Sequence, residues 1–297
     1  MSSTPRLTGC KPAPLREAFP ASEFGLKPLF PARKKLLIGV VHLRPLPGAP
    51  RWAGSLADVL SAAIADARAY ERGGADALFI ENFGDIPFTR GSVGPETIAA
   101  MSAAGCAVRA AVKLPLGFNV LRNDARAALA LCAACGGSFV RVNVHSGAMV
   151  TDQGVIEGHA HETLRYRQTV ASGALILADV HVKHAVPLGN IPLEIAARDT
   201  VERGLADALI VSGTGTGVEA DLSEVERVRR VCPHTPLLIG SGITAANAAA
   251  YLCHADAVIV GTSLKRDGDV RAPVDARRVA ALARVVERQP PAQLQFG

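Results

Sequence analysis

Gly74-Ala75-Asp76-Ala77-Leu78-Phe79-Ile80-Glu81 decides the fold, because the chain repeats it. Leu205-Ala206-Asp207-Ala208-Leu209-Ile210-Val211-Ser212 and His254-Ala255-Asp256-Ala257-Val258-Ile259-Val260-Gly261 follow the same pattern, and 136–143 is a weaker copy. Each strong copy is an aspartate, a short apolar run and a small or polar stop. Outward from these runs, at 77–80, 139–144, 208–211 and 257–260, four more alternate with them, at 36–41, 108–112, 174–180 and 236–239. Near-continuous apolar runs of this length read as strands buried on both faces. The stretches after them, at 55–72, 95–104, 124–135, 161–172, 192–203, 222–231, 245–252 and 274–287, read as helices. Strands alternating with helices imply a parallel sheet, and eight such units in ~250 residues is the size of a closed barrel. The repeat falls on strands two, four, six and eight, which favours closure over an open doubly wound sheet.

The expected architecture is α/β: a single (β/α)8 TIM barrel over 36–288. An irregular, Pro-rich N-terminal arm (1–35) precedes it, and a flexible C-terminal tail (289–297) follows. Asp76, Asp207 and Asp256 begin their strands, on the face opposite an active site. There they should organise the helix-to-strand turns.

Composition narrows the function classes. The chain of 297 residues is 49% hydrophobic and 20% charged, with one Trp and three Tyr. So few aromatics argue against a base-stacking nucleic-acid surface. The net charge of +5 is scattered apart from Arg33-Lys34-Lys35, which suits an anionic ligand rather than DNA. Six sparse cysteines fit a reducing compartment, and Cys132 and Cys135 read as part of a core helix. No apolar run is long enough to span a bilayer, and the N-terminus lacks a secretion-signal pattern. A cytoplasmic location and a homo-oligomer are the expectations.

Chemistry in such barrels gathers at the C-terminal strand ends. Glu81 and Asp179 are candidate bases there. Lys113, read as closing strand three, and Lys183 are candidate electrophiles or imine formers. His42, Asn119, Arg141, Asn143, His181 and Ser212 are candidate substrate contacts. Period-two alternation predicts that Arg141, Asn143 and His145 share one face, and that Asp179, His181 and Lys183 share another. Gly240-Ser241-Gly242 and Gly261-Thr262-Ser263 end the last two strands. Small residues there let backbone N–H groups approach a phosphate, a following helix adds its dipole, and Lys265 adds charge. Gly213-Thr214-Gly215-Thr216-Gly217 reads as a loop that covers the ligand. No cofactor is implied; a divalent metal on Glu81, Asp179 and His181 stays open, as does acid–base against imine chemistry.

Together these segments resemble the BtpA family, also called SgcQ-like. The resemblance is carried by residues 39–48 (GVVHLRPLPG), 81–88 (ENFGDIPF), 119–124 (NVLRND), 139–143 (FVRVN), 151–154 (TDQG), 178–185 (ADVHVKHA), 240–242 (GSG) and 259–265 (IVGTSLK). It covers 36–288 and implies a TIM barrel. It also implies a connection with photosystem I biogenesis and peripheral membrane association, or companionship with sugar-uptake systems. Two functions follow as expectations. One is a lyase, aldolase or isomerase acting on a small phosphorylated sugar or nucleoside-derived compound. The other is a non-catalytic factor for assembly of a membrane complex.

Overall fold

The computed structural model describes residues 29–30 and 34–290. Most of the expected arm, the end of the expected tail and Cys10 lie outside the described residues. Eight parallel strands close into a barrel in the order β1 (Leu36–His42), β2 (Ala77–Glu81), β3 (Leu116–Asn119), β4 (Phe139–Val142), β7 (Leu175–Val180), β9 (Ala208–Val211), β10 (Leu237–Ile239) and β11 (Ala257–Val260). Around it run α1 (Leu56–Arg72), α2 (Pro95–Ala111), α3 (Ala125–Cys135), α4 (Ala160–Val170), α5 (Leu193–Arg198), α6 (Leu222–Val231), α7 (Ala248–Leu252) and α8 (Ala276–Glu287). Ser55 and Asp124 cap α1 and α3 by accepting from Asp58 N and Ala127 N, as short polar side chains do at helix starts. Cys132 and Cys135 lie buried in α3.

The aspartate repeat has one physical role three times over. Asp76, Asp207 and Asp256 accept from the backbone N–H of Leu37, Ile176 and Leu237 at 2.8, 2.7 and 2.9 Å. Their own N–H groups donate back to the carbonyls of the same three residues. Each carboxylate also pairs with a cation, from Lys34, Arg167 and Arg229 respectively. Each odd barrel strand is thus clasped to the next even one at its N-terminal end. In the fourth pair Ser138 keeps only the backbone half, donating to the Leu116 carbonyl. Leu29 and Phe30 are buried with the inward-facing set of Ile38, Phe79, Phe139 and Ile210.

Strand three is a correction. Residues 108–112 are not a strand but the last turn of α2 and its C-cap, in which Val108 continues the buried Ala100–Ala104 stripe at helical spacing. The strand is Leu116–Asn119, whose glycine hid it. A Cβ on Gly117 would stand 2.1 Å from the Phe139 ring, so glycine is what the barrel interior admits there. A small antiparallel sheet, not expected from the sequence, stands beside the barrel mouth. It consists of β5 (Ala148–Thr151) and β6 (Gly154–Glu157), with β8 (Ala185–Pro187) on the free edge of β5. Asp152-Gln153 between two short apolar pairs was the available hairpin signal.

Candidate active site

Register builds the first half of the site. His42, Glu81 and Asn119 end three adjacent strands and stand opposite one another in the pairing. Asn119 Nδ2 donates to Glu81 Oε2 at 2.6 Å, and His42 Nε2 lies 3.8 Å from Oε1. Burial holds the His42 pKa well below the usual imidazole value, and Lys265, Lys183 and Arg141 act in the same direction. The ring packs 4.5 Å from Phe83. Gly261 makes room for it, since a Cβ there would be 2.6 Å from His42 Cε1.

The second half is a saturated carboxylate. Asp179 accepts from Arg141 Nε and Nη2 at 2.8 Å each, from Asn143 Nδ2 at 2.9 Å and from Ser212 Oγ at 3.0 Å. These four bonds occupy the acceptor positions of both oxygens. The candidate base Asp179 is therefore corrected to an anchor that fixes Arg141. Burial opposes the charge on Arg141, but Asp179 outweighs it and raises the guanidinium pKa. Nη1 of Arg141 makes no hydrogen bond among the described residues and remains available to a ligand.

Lys183 faces the same space. With His42, Glu81 and Arg141 it lines a cavity of about 240 Å3 bounded by Gly240–Thr244, Val260–Ser263 and Thr216-Gly217. Among the described residues Nζ has no hydrogen bond or carboxylate within salt-bridge distance. Burial lowers its pKa to about 8, with Arg141 assisting and Glu81 and Asp179 opposing. Arg122, from the loop after β3, holds the Lys183 carbonyl with a 2.5 Å bond from Nη2. This bracing was not legible beforehand, because an arginine that grips a backbone leaves no spacing signal.

The expected alternation breaks at His181. β7 ends at Val180, and His181 takes φ 50°, so it lines a second cavity with Asn143 and His145 while Lys183 returns to the first. Glu81 and His181 therefore do not converge on one metal position. Among the described residues no three His, Cys, Asp or Glu side chains are grouped to hold an ion. Lys113 is also corrected. It is exposed at the opposite end of the barrel, just before β3, and its N–H donates to Glu71 Oε1.

The glycine turns do line the cavity, but their side chains are largely committed elsewhere. Ser241 Oγ accepts from Gly213 N and donates to Val218 O, bracing the loop over the cavity. Ser263 Oγ donates to Ile243 O. Lys265 is buried on Asp66 at 3.2 Å and does not face the cavity. The helix expected at 245–252 begins only at Ala248, so little dipole reaches the turn. What remains for an anion is the backbone. The N–H groups of Gly242, Ile243, Thr262 and Ser263 make no hydrogen bond among the described residues. Gly242 has φ +71°, and a Cβ there would meet the Glu219 backbone at 2.3 Å. Gly240 gives space to Ser212 and Arg141, which a Cβ would approach to 2.5 and 3.0 Å. The loop at 213–217 lies over the opening and is tied down by His184, whose Nε2 accepts from Thr216 N at 3.1 Å.

Comparisons with known proteins bear on the family and the fold. The profile described as the BtpA family matches residues 33–288. The photosystem I biogenesis protein BtpA of Synechocystis is 47% identical over 82% of this chain and 85% of its own length. The putative sgc region protein SgcQ of Escherichia coli is 33% identical over 83% of this chain and 92% of its own. Among solved structures, tryptophan synthase of Mycobacterium tuberculosis superposes with a TM-score of 0.57 at 20% identity. That match covers 86% of this chain and 93% of the other, a likeness of fold alone. No helix among the described residues is long and apolar enough to cross a membrane.

Proposed function

The chain belongs to the BtpA family, and from that premise we propose that it is an enzyme acting on a small phosphorylated sugar or nucleoside-derived compound. The reaction class is lyase or aldolase, or isomerase. One observation carries the reading: Lys183, without a partner among the described residues and with its pKa lowered to about 8, shares one cavity with Glu81. An ammonium facing a substrate carbonyl stabilises the enolate formed when a nearby carboxylate removes a proton. A lysine so desolvated also has enough free amine near neutrality to attack that carbonyl. Glu81, oriented by Asn119 and His42, moves the proton. The phosphate rests on the free N–H groups of Gly242, Ile243, Thr262 and Ser263, with Thr262 Oγ1 and Arg141 Nη1 as further donors. Gly240, Gly261 and the side chains of Ser241 and Ser263 shape that cradle rather than bind in it.

The test is a panel of aldose and ketose phosphates in thermal-shift assays, followed by borohydride treatment and peptide mass spectrometry. A ligand-stabilised protein with a reduced adduct on Lys183 supports the imine-forming lyase or aldolase. Stabilisation with turnover and no adduct supports the isomerase. No stabilisation by any phosphorylated compound overturns the proposal.

The name of the Synechocystis relative favours a second reading, a non-catalytic factor for a membrane complex with peripheral association. It predicts that Lys183→Met and Glu81→Gln leave complex assembly unchanged in cells. Loss of assembly in both variants argues for the enzyme.

A further inference from the structure

Two thiols meet where α2 packs on α3. Cys106 Sγ lies 3.6 Å from Cys135 Sγ. Cys106 is exposed on α2, and Cys135 is buried as the last residue of α3. Three residues of α2 arrange the meeting. Gly105 lets the helix pass close to the buried thiol, since a Cβ there would stand 2.8 Å from Cys135 Sγ. Ser102, one turn before Cys106, offers its carbonyl to the same sulfur, which donates to it at 3.4 Å. Arg109, three residues after Cys106, crosses to the end of α3 and donates to the Gly136 carbonyl at 3.2 Å. The neighbouring Cys132 is turned away, with Sγ donating to the Phe139 carbonyl at 3.3 Å.

The two thiols differ in what can reach them. Burial pushes the Cys135 thiol up to about 11, and its contact with Cys106 acts in the same direction. Cys135 therefore keeps its proton and is screened from solvent, while Cys106 is the sulfur that a reagent meets. An accessible thiol beside a second, buried one is the arrangement that captures an oxidant and then resolves the adduct internally.

We propose that Cys106 and Cys135 form a reversible thiol–disulfide site whose co-reactant is a small disulfide of the glutathione type. The Cys106 thiolate attacks one sulfur of the co-reactant, forms a mixed disulfide and expels a small thiolate, which takes up the proton Cys106 gave up. Cys135 then loses its proton, attacks Cys106 Sγ and expels the second small thiolate, which takes up that proton. One protein disulfide replaces two thiols, and the co-reactant gains two electrons and two protons as two small thiols. A bond of about 2.05 Å asks the sulfurs to close by about 1.5 Å. The exposed Cys106 side chain can make that movement, because its other contact, to the Ala134 carbonyl, is a loose 3.9 Å. The bond closes 106–135 into a loop that holds β3, Asn119 and Arg122, the residues that brace Glu81 and Lys183. The inference does not rest on the phosphorylated-substrate reading, and a failed phosphate panel leaves it standing.

The test treats the full chain with oxidised glutathione, digests it without reduction and maps the peptides by mass spectrometry. The expected result is a Cys106–Cys135 link within one chain, with loss of two hydrogens, which dithiothreitol reverses. Cys135→Ser should stop at a glutathione adduct on Cys106 that persists at least about tenfold longer than in the native chain, where the second thiol is already in place. Cys106→Ser should leave Cys135 unmodified. The proposal is overturned if the native chain stops at the adduct on Cys106, or if Cys106 links instead to another cysteine or to a second chain. It is equally overturned if Cys135 takes up glutathione as readily as Cys106. The peptide map of the native chain decides even if a variant does not fold.

Discussion

Arg141 grips Asp179 through two parallel hydrogen bonds of 2.8 Å, and both side chains are almost wholly shielded from water. Asn143 and Ser212 complete the shell. Asp179→Asn removes the charge that compensates Arg141 and turns an amide N–H toward groups that already donate. Breaking one side of a buried pair costs about 3–5 kcal/mol. Urea denaturation should show a loss of that size, together with loss of stabilisation by phosphorylated ligands. A change below about 1 kcal/mol would mean that the pair is not the anchor described.

Gly261 is required by its neighbour rather than by its own backbone. Gly261→Ala places a methyl 2.6 Å from His42 Cε1. The ring must then leave Glu81 or the strand must shift, and such overpacking costs about 1–3 kcal/mol. The expected outcome is a lower melting temperature and a changed His42 proton resonance. An unchanged resonance would show that the ring has slack there.

Lys183 makes stability depend on pH in a stated direction. Its folded pKa is lowered to about 8 from the ordinary 10.5, so between those values the unfolded chain binds more protons. Stability therefore rises with pH across that window, and the cost of the buried charge is fully present below about pH 8. Lys183→Met should be more stable than the native chain at pH 7, with about 2–4 °C for each kcal/mol relieved. The difference should shrink as pH rises toward 10.5. Melting curves across that range test this, and a difference that grows with pH would reverse the assignment.

Ser241 is a brace between Gly213 N and Val218 O. Ser241→Ala removes both bonds while leaving the barrel strands untouched. Hydrogen exchange should accelerate in 213–218 and stay unchanged in β10 and β11. Uniform acceleration across all three would mean that the hydroxyl supports the barrel as a whole.

The barrel was legible because burial on both faces writes strands as apolar runs, and because the aspartate clasp recurs wherever the same junction recurs. Glu81 and His42 were legible as polar stops on such runs. β3 was not, since Gly117 yields its volume to the Phe139 ring and so breaks the apolar run that marks a strand. That error moved Lys113 to the wrong end of the barrel. His181 failed for another reason: alternation holds only while the chain stays extended, and its φ of 50° ends it. The roles of Ser241, Ser263 and Lys265 depend on partners far along the chain, Val218, Ile243 and Asp66, which local spacing does not encode.

Three carboxylate clasps fasten the strands at their beginnings, while His42, Glu81 and Asn119 stand at the finishing ends. This divides labour along each strand. What keeps the barrel closed lies a full strand length from the groups of the proposed site. The final residues and loops can change over evolutionary time without loosening the frame, so relatives sharing these clasps can diverge in chemistry while keeping one scaffold.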